Sequence, residues 1–200
     1  PYAETLPFAY PPDLAHDLAP YMAVDDDGPR ITTAVEDLRP AGQPTVDFIV
    51  GLNARIQRDV SYVVRMEPGV QSPDATLSLG SGSCRDSAWL LVQMLRRLGL
   101  AARFVSGYLI QLKADIDPVA GALGTQTDFT DLHAWAEVYI PGAGWIGLDA
   151  TSGLLCGEGH IPLAAAPHYH SAAAITGVAS RPADHFDFSM TVSRLIEPIR

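Results

Sequence analysis

Cysteine is scarce in this chain: only Cys84 and Cys156 occur in 200 residues. Two cysteines are too few for a disulfide framework, and these lie too far apart in sequence for a zinc motif. One alternative stays open, a single Cys84 to Cys156 disulfide, which would abolish any role for a free thiol. Otherwise the usage points to a reducing compartment, and the expected location is cytoplasmic. Positive charge is also short, with 13 Lys and Arg against 23 Asp and Glu and a formal net charge of −10. Nucleic acid and anionic membrane are therefore not expected as partners, since both need basic patches. A neutral or cationic substrate is easier to accept. No run approaches the roughly 18 consecutive apolar residues of a membrane span, and the first residues show no basic region followed by an apolar stretch. The chain starts at Pro1 without a methionine, so it is expected to be cut from a longer parent chain whose other domains are its partners.

What is present suffices for one domain. Nearly half of the residues are hydrophobic, 48%, enough for a substantial core. A single domain over 1–200 is expected, its core at about 45–155.

The stretch Gly80-Ser81-Gly82-Ser83-Cys84-Arg85-Asp86 opens the most legible helix. Ser83 followed by Asp86 before an apolar run is a capping-box pattern, so the helix begins at about Cys84. Ala88, Leu91, Leu95 and Leu98 then recur at helical spacing, with Arg96 and Arg97 in the last turn and Gly99 as the stop. A thiol in the first turn faces the positive end of the helix dipole and its free N–H groups, and both favour the thiolate. The bland alternative is a small apolar residue closing the helix against the core.

Upstream, Pro11-Pro12-Asp13 starts a short helix that Pro20 should terminate. Asp25-Asp26-Asp27 lacks the alternating ligands and final glutamate of a calcium loop and reads as a turn. Thr45 to about Arg58 carries Val46, Ile49, Leu52 and Ile56 on one helical stripe, and Tyr62-Val63-Val64 is extended scaffold. Residues 67 to 79, with Pro68, Gly69 and Pro73, read as a loop. Arg103 to Leu112 is a strand, and 113 to 131 a long rim loop.

Leu132 to Ile140 alternates as a strand with an apolar even-numbered face, and Trp145 to Asp149 returns after a Pro141-Gly142-Ala143-Gly144 turn. If even residues share the core, odd His133 and odd Asp149 share the other face. Pairing Asp149 with Trp135 leaves His133 one diagonal step away, within reach of a carboxylate. After Thr151 the chain looks irregular. Its His160, His168 and His170 lack neighbouring ligands at metal spacing, so no metal and no cofactor is expected. Phe186 to Ser193 alternates as a strand.

Cys84, His133 and Asp149 supply a thiol nucleophile, its base and the group that orients the base. With their flanks Gly82-Ser83-Cys84-Arg85-Asp86, Leu132-His133-Ala134-Trp135-Ala136-Glu137-Val138-Tyr139 and Gly144-Trp145-Ile146-Gly147-Leu148-Asp149-Ala150-Thr151, they closely resemble the transglutaminase-like superfamily. The resemblance is strong over about Tyr62 to Thr151, and the ends resemble those of large bacterial proteins carrying this domain near their N-terminus. Ala150 departs from the family, which commonly has proline there. The resemblance implies an α+β papain-like core, the nucleophile helix packed on an antiparallel β-sheet. It further implies a Cys84, His133 and Asp149 triad and acyl transfer from an amide of a peptide or protein substrate through a thioester. The Cys84 N–H would be one oxyanion donor and Gln71 is the candidate for the second. Trp135 and Trp145 are candidate cleft walls, and Asp86 is a helix cap. The rival reading is a non-catalytic binding or assembly module that keeps the fold. A third, a redox thiol, would need Cys156 as its resolving partner.

Overall fold

The computed structural model describes residues 2–25, 28–113, 125, 127–173, 176–177, 180 and 188–195. In chain order the elements are β1 (Thr5–Leu6), α1 (Pro12–Met22), α2 (Pro29–Glu36), β2 (Gln43–Pro44), α3 (Thr45–Asp59), β3 (Ser61–Tyr62), α4 (Pro73–Leu79), β4 (Ser81–Gly82), α5 (Cys84–Arg97), β5 (Ala102–Gln111), β6 (Phe129–Ile140), β7 (Gly144–Asp149), β8 (Leu154–Leu155) and β9 (His160–Ala166). A 3₁₀ turn, Tyr169–Ala172, follows. Helix α5 starts at the expected cysteine. At its far end Gly99 adopts φ +82°, and Leu100 N–H donates to the Leu95 carbonyl at 3.0 Å, the reversal that glycine permits after a helix.

Five antiparallel strands form the main sheet in the order β8-β7-β6-β5-β9. The stripe of α5 and the even-numbered residues of β6 and β7 form one core, in which Ala88, Leu91, Leu95, Ala136, Val138 and Leu148 are at most 1% exposed. Each leucine so buried contributes roughly 1.5–3 kcal/mol relative to exposure. α3 adds Ile49, Leu52 and Ile56 to the same core, as its stripe requires.

Arg96 ties the rim of this core. It is 3% exposed, and its guanidinium donates to the carbonyls of Ala102 (3.1 and 3.0 Å), Ala23 (2.6 Å) and Pro167. Burial pulls its pKa down to about 10, against the opposing pull of Asp25.

Four expectations need correction. Pro20 lies inside α1 and does not end it. α2 and α4 were not expected. In both, the proline that reads as a breaker stands in the first turn, where its missing N–H costs nothing. α4 also has a true cap, Ser72 Oγ accepting from Ala75 N–H at 3.2 Å. The segment after Thr151 is not irregular: it makes β8, β9 and the 3₁₀ turn. Pro162 is tolerated there because β9 is an edge strand, and β9 closes on β5 at a bulge where a Cβ on Gly107 would lie 2.0 Å from the Ile161 carbonyl oxygen. Of the strand expected at 186–193, residues 186 and 187 lie outside the described residues, and 188–193 form no strand. Most of the 113–131 loop and two of the three aspartates at 25–27 also lie outside them.

The strand order puts β8 and β9 at opposite edges, so residues 156–159 must carry the chain across the sheet. They cross the odd-numbered face. Cys156 N–H donates to the Gly147 carbonyl, and Ile110 N–H to that of Gly159. This crossing covers Trp135, which is 1% exposed although it faces away from the α5 core.

Candidate active site

The parallel pair β3 and β4 sets Tyr62 opposite Gly82 and leads the chain into Cys84. Asp86, 0% exposed, locks this entry: its carboxylate accepts from Ser83 N–H (2.8 Å), Ser83 Oγ (2.7 Å) and Gln71 N–H (2.7 Å), with Arg65 Nε at 3.3 Å. Both halves of the capping box are thus formed, and the Ser83 hydroxyl also donates to the Asp86 carboxylate. With four partners in use, Asp86 is a structural anchor for the turn that bears the thiol.

His133 and Asp149 meet as the hairpin register requires. β6 and β7 pair Ile140 with Gly144 through Ala136 with Leu148, which continues to Trp135 opposite Asp149. His133 Nε2 lies 3.1 Å from Asp149 Oδ2. The contact is close, but the N–H is not aimed along a good hydrogen-bond line, as is common before a substrate tightens a site. Burial works against charge on His133, yet its polar contacts with Asp149 and Cys84 and their negative charge outweigh it and raise the pKa to about 9. For Asp149, burial pushes upward, and the two histidines His133 and His160 with the Thr151 N–H hold it well below the usual carboxylate range. Nε2 is turned to Asp149, so Nδ1 is the nitrogen left for the Cys84 thiol. A thiol at a helix start, an imidazole and a buried carboxylate in this order can sustain a thiolate and imidazolium pair.

A second histidine, His160 at the start of β9, reaches the same carboxylate: its Nε2 is 3.3 Å from Asp149 Oδ2. Sequence reasoning did not find this contact, because it considered His160 only with His168 and His170 as a metal site. Nothing in a Gly-rich segment signals which strand it will join. His133, Asp149 and His160 are the one set among the described residues whose ligand atoms converge, within 4.8 Å of one another. The surroundings suit a proton better than a metal. A metal-bound histidine normally donates its other N–H outward, whereas His160 Nδ1 receives the Gly157 N–H at 3.3 Å.

Three sequence candidates stand elsewhere. Gln71 turns its side-chain oxygen to Thr76 Oγ1 (3.3 Å) while its backbone is held by Asp86; it does not line the cavity beside Cys84. Trp135 is buried between His133 and His160, ring centroids 6.4 and 5.2 Å away, and supports the rings from behind. Trp145 packs with Tyr21, Tyr139 and the Arg103 guanidinium. Tyr62, read as scaffold, is half exposed where β3 leads toward the thiol; burial first, then the charges of Cys84, Asp131 and Asp149, raise its pKa. Both cysteines are free. Burial, Asp149 and Glu137 push the Cys156 thiol far up, which makes it a poor redox partner.

The family model for the transglutaminase-like superfamily matches residues 32–150, more than half of the chain, and includes Cys84, His133 and Asp149 but not His160. The chain belongs to the transglutaminase-like superfamily. An uncharacterized protein of Mycobacterium tuberculosis is 30% identical over 186 residues, covering 85% of this chain and 55% of that one. A protein-glutamine gamma-glutamyltransferase of Pseudomonas aeruginosa is 26% identical over 127 residues, 62% of this chain and 18% of that one. The chain spans about half the length of the curated relatives it matches first. Among solved structures, a candidate cysteine protease from Cytophaga hutchinsonii superposes with TM-score 0.62 at 23% identity, over 82% of this chain and 52% of that one. The periplasmic domain of TgpA from Pseudomonas aeruginosa gives 0.52 at 24%, over 69% and 48%. Both likenesses support the α+β fold.

In this superfamily member a cavity of about 330 Å³ opens beside Cys84 and His133. Val70, Phe104, Leu132, Ala134 and Ala172 give it a largely apolar lining, with Tyr169 and His170 on the side of the 3₁₀ turn. No helix among the described residues is long and apolar enough to cross a membrane.

Proposed function

We propose that this domain is a cysteine-dependent hydrolase or acyltransferase acting on an amide bond of a peptide or protein. The observation that supports the reading is that the His133 ring lies 3.1 Å from Asp149 and lines the same cavity as Cys84, with both neighbours acting to raise its pKa to about 9. The Cys84 thiolate attacks the amide carbonyl, and the tetrahedral oxyanion forms against the Cys84 N–H at the helix start. Tyr62 is the candidate second donor, in place of Gln71, through its phenol O–H. His133, protonated at this stage, gives its proton to the departing amine, leaving a thioester. It then takes a proton from water, which attacks the thioester, and returns that proton to sulfur as the acid product leaves. Asp149 stabilises the imidazolium throughout.

Hydrolysis is the favoured outcome. Water is present at about 55 M, whereas an amine competes only from an oriented site of its own. The scarcity of cysteine fits a reducing compartment such as the cytoplasm, and the acidic surface charge fits neither nucleic acid nor anionic membrane as partner. The test is iodoacetamide alkylation of Cys84 near pH 6, with a C84A variant to subtract Cys156. Alkylation far faster than that of a free thiol, followed by thioester capture from a peptide library in mass spectra, supports the enzyme. An unreactive Cys84 would move the assignment to a non-catalytic binding module.

A further inference from the structure

Asp149 is held at both carboxylate oxygens by groups other than His133. Thr151 N–H donates to Oδ1 at 2.9 Å, and His160 Nε2 meets Oδ2 at 3.3 Å. The proton on His160 can be placed from its other nitrogen. Gly157 N–H donates to Nδ1 at 3.3 Å, so Nδ1 carries no proton and the neutral ring bears it on Nε2. The Nε2–H therefore donates to Asp149.

The ring has little freedom to leave. It stands edge-on to Trp135, with centroids 5.2 Å apart and planes at 83°, and its side chain is 12% exposed. The residue before it, Gly159, is fastened by Ile110 N–H to its carbonyl at 2.8 Å, and a Cβ there would fall 2.3 Å from the Ile110 oxygen. The crossing segment thus delivers one imidazole at a fixed place and in a fixed tautomer.

We propose that His160 is a positioning residue for the Cys84, His133 and Asp149 chemistry, an inference that rests on the acyl-transfer reading. During turnover the His133 ring must serve first the thiol and then the leaving amine and water, with small reorientations between them. A carboxylate held by His133 alone would follow the ring. Anchored by Thr151 and His160, Asp149 stays in place while the imidazole moves. Because His160 donates as a neutral group, the negative charge remains available to the His133 imidazolium.

The test compares the full chain with H160A and H160Q, the glutamine keeping an N–H donor. Histidine-selective ¹⁵N NMR at neutral pH should show His160 protonated on Nε2; a proton on Nδ1 overturns the proposal whatever the activity. With p-nitrophenyl acetate as probe, H160A should lower kcat about 10-fold with little change in KM, and H160Q should recover to within about 3-fold. An H160A protein with unchanged kcat overturns the proposal. So does a folded H160Q, judged by melting temperature, that fails to recover, since the ring would then serve only to pack Trp135. Inhibition by micromolar Zn²⁺ that shifts the His133 and His160 signals together would overturn it in favour of a metal ligand. Failure of the acyl-transfer reading looks different: wild type would then be no faster than C84A, with the His160 tautomer still observed.

Discussion

Two regions meet at Asp149 and are built in opposite ways. On one side α5, β6 and β7 enclose Leu90, Leu91, Leu95, Val138 and Leu148 at 0% exposure. On the other side the segment after Thr151 shows Leu154, Leu155, Ile161 and Leu163 at 67, 49, 40 and 57%. The first holds its shape by packing, which tolerates little displacement. The second is attached by backbone pairing of β8 and β9 at the two sheet edges, with Ala166 and Ala172 as its buried hydrophobic residues. The comparison teaches that Cys84 and His133 are carried by a rigid body, whereas the single donor His160 is brought to Asp149 by a thin segment whose backbone is pinned on both sides.

The largest effect that would sharpen this contrast is on chemistry. C84A should lower ester or amide turnover by at least about 10³-fold while leaving the fold intact; retention of turnover would place the reaction elsewhere. Next, in the same rigid body, L91A should cost about 2–5 kcal/mol in urea unfolding. Its counterpart in the thin segment, I161A, should cost under about 1 kcal/mol. Equal costs would break the comparison. G159A should displace His160 because of its contact with Ile110, reducing turnover about as much as H160A while moving the unfolding midpoint less than L91A does.

A further effect is on pH dependence. The folded His133 pKa of about 9 lies above its ordinary 6.5. The stability it contributes is therefore fully present below about pH 6.5 and is lost as pH rises through about 9. Melting temperature should fall over that window in wild type and less in H133Q. Turnover should decline above about pH 9 as the acid is lost, while alkylation of the thiolate persists. A wild-type melting temperature that is flat between pH 6.5 and 9.5 would show that His133 gains no proton affinity on folding.

Legibility followed the same division. The α5 boundaries and the strand parity were readable because capping and period are local, whereas Asp149 comes opposite Trp135 because Gly144 joins β7 and leaves a turn one residue shorter than Pro141 to Gly144. The prolines misled. Pro73 reads as part of a loop, though it opens α4, and Pro20 reads as a stop, though it lies inside α1. His160 was legible as a residue but not as a partner of Asp149. Its position depends on β9 joining the far edge of the sheet, a long-range pairing that no short-range pattern in an Ala, Gly and Pro-rich stretch declares. Gln71 was legible only as an upstream polar side chain; no local pattern declares that its amide oxygen turns to Thr76 Oγ1.

Arg96 bears on durability. Its forked head clamps carbonyls from the N-terminal arm, the start of β5 and the turn after β9, so it fastens three distant stretches as a cross-link would. Those partners are uncharged, with Asp25 only at 4.0 Å, so dissolved ions have little to screen. Reductants have no sulfur bond there to cleave. A lysine would keep the charge but lose the fork. The clasp should therefore persist through changes of ionic strength and redox poise that loosen surface ion pairs and disulfides.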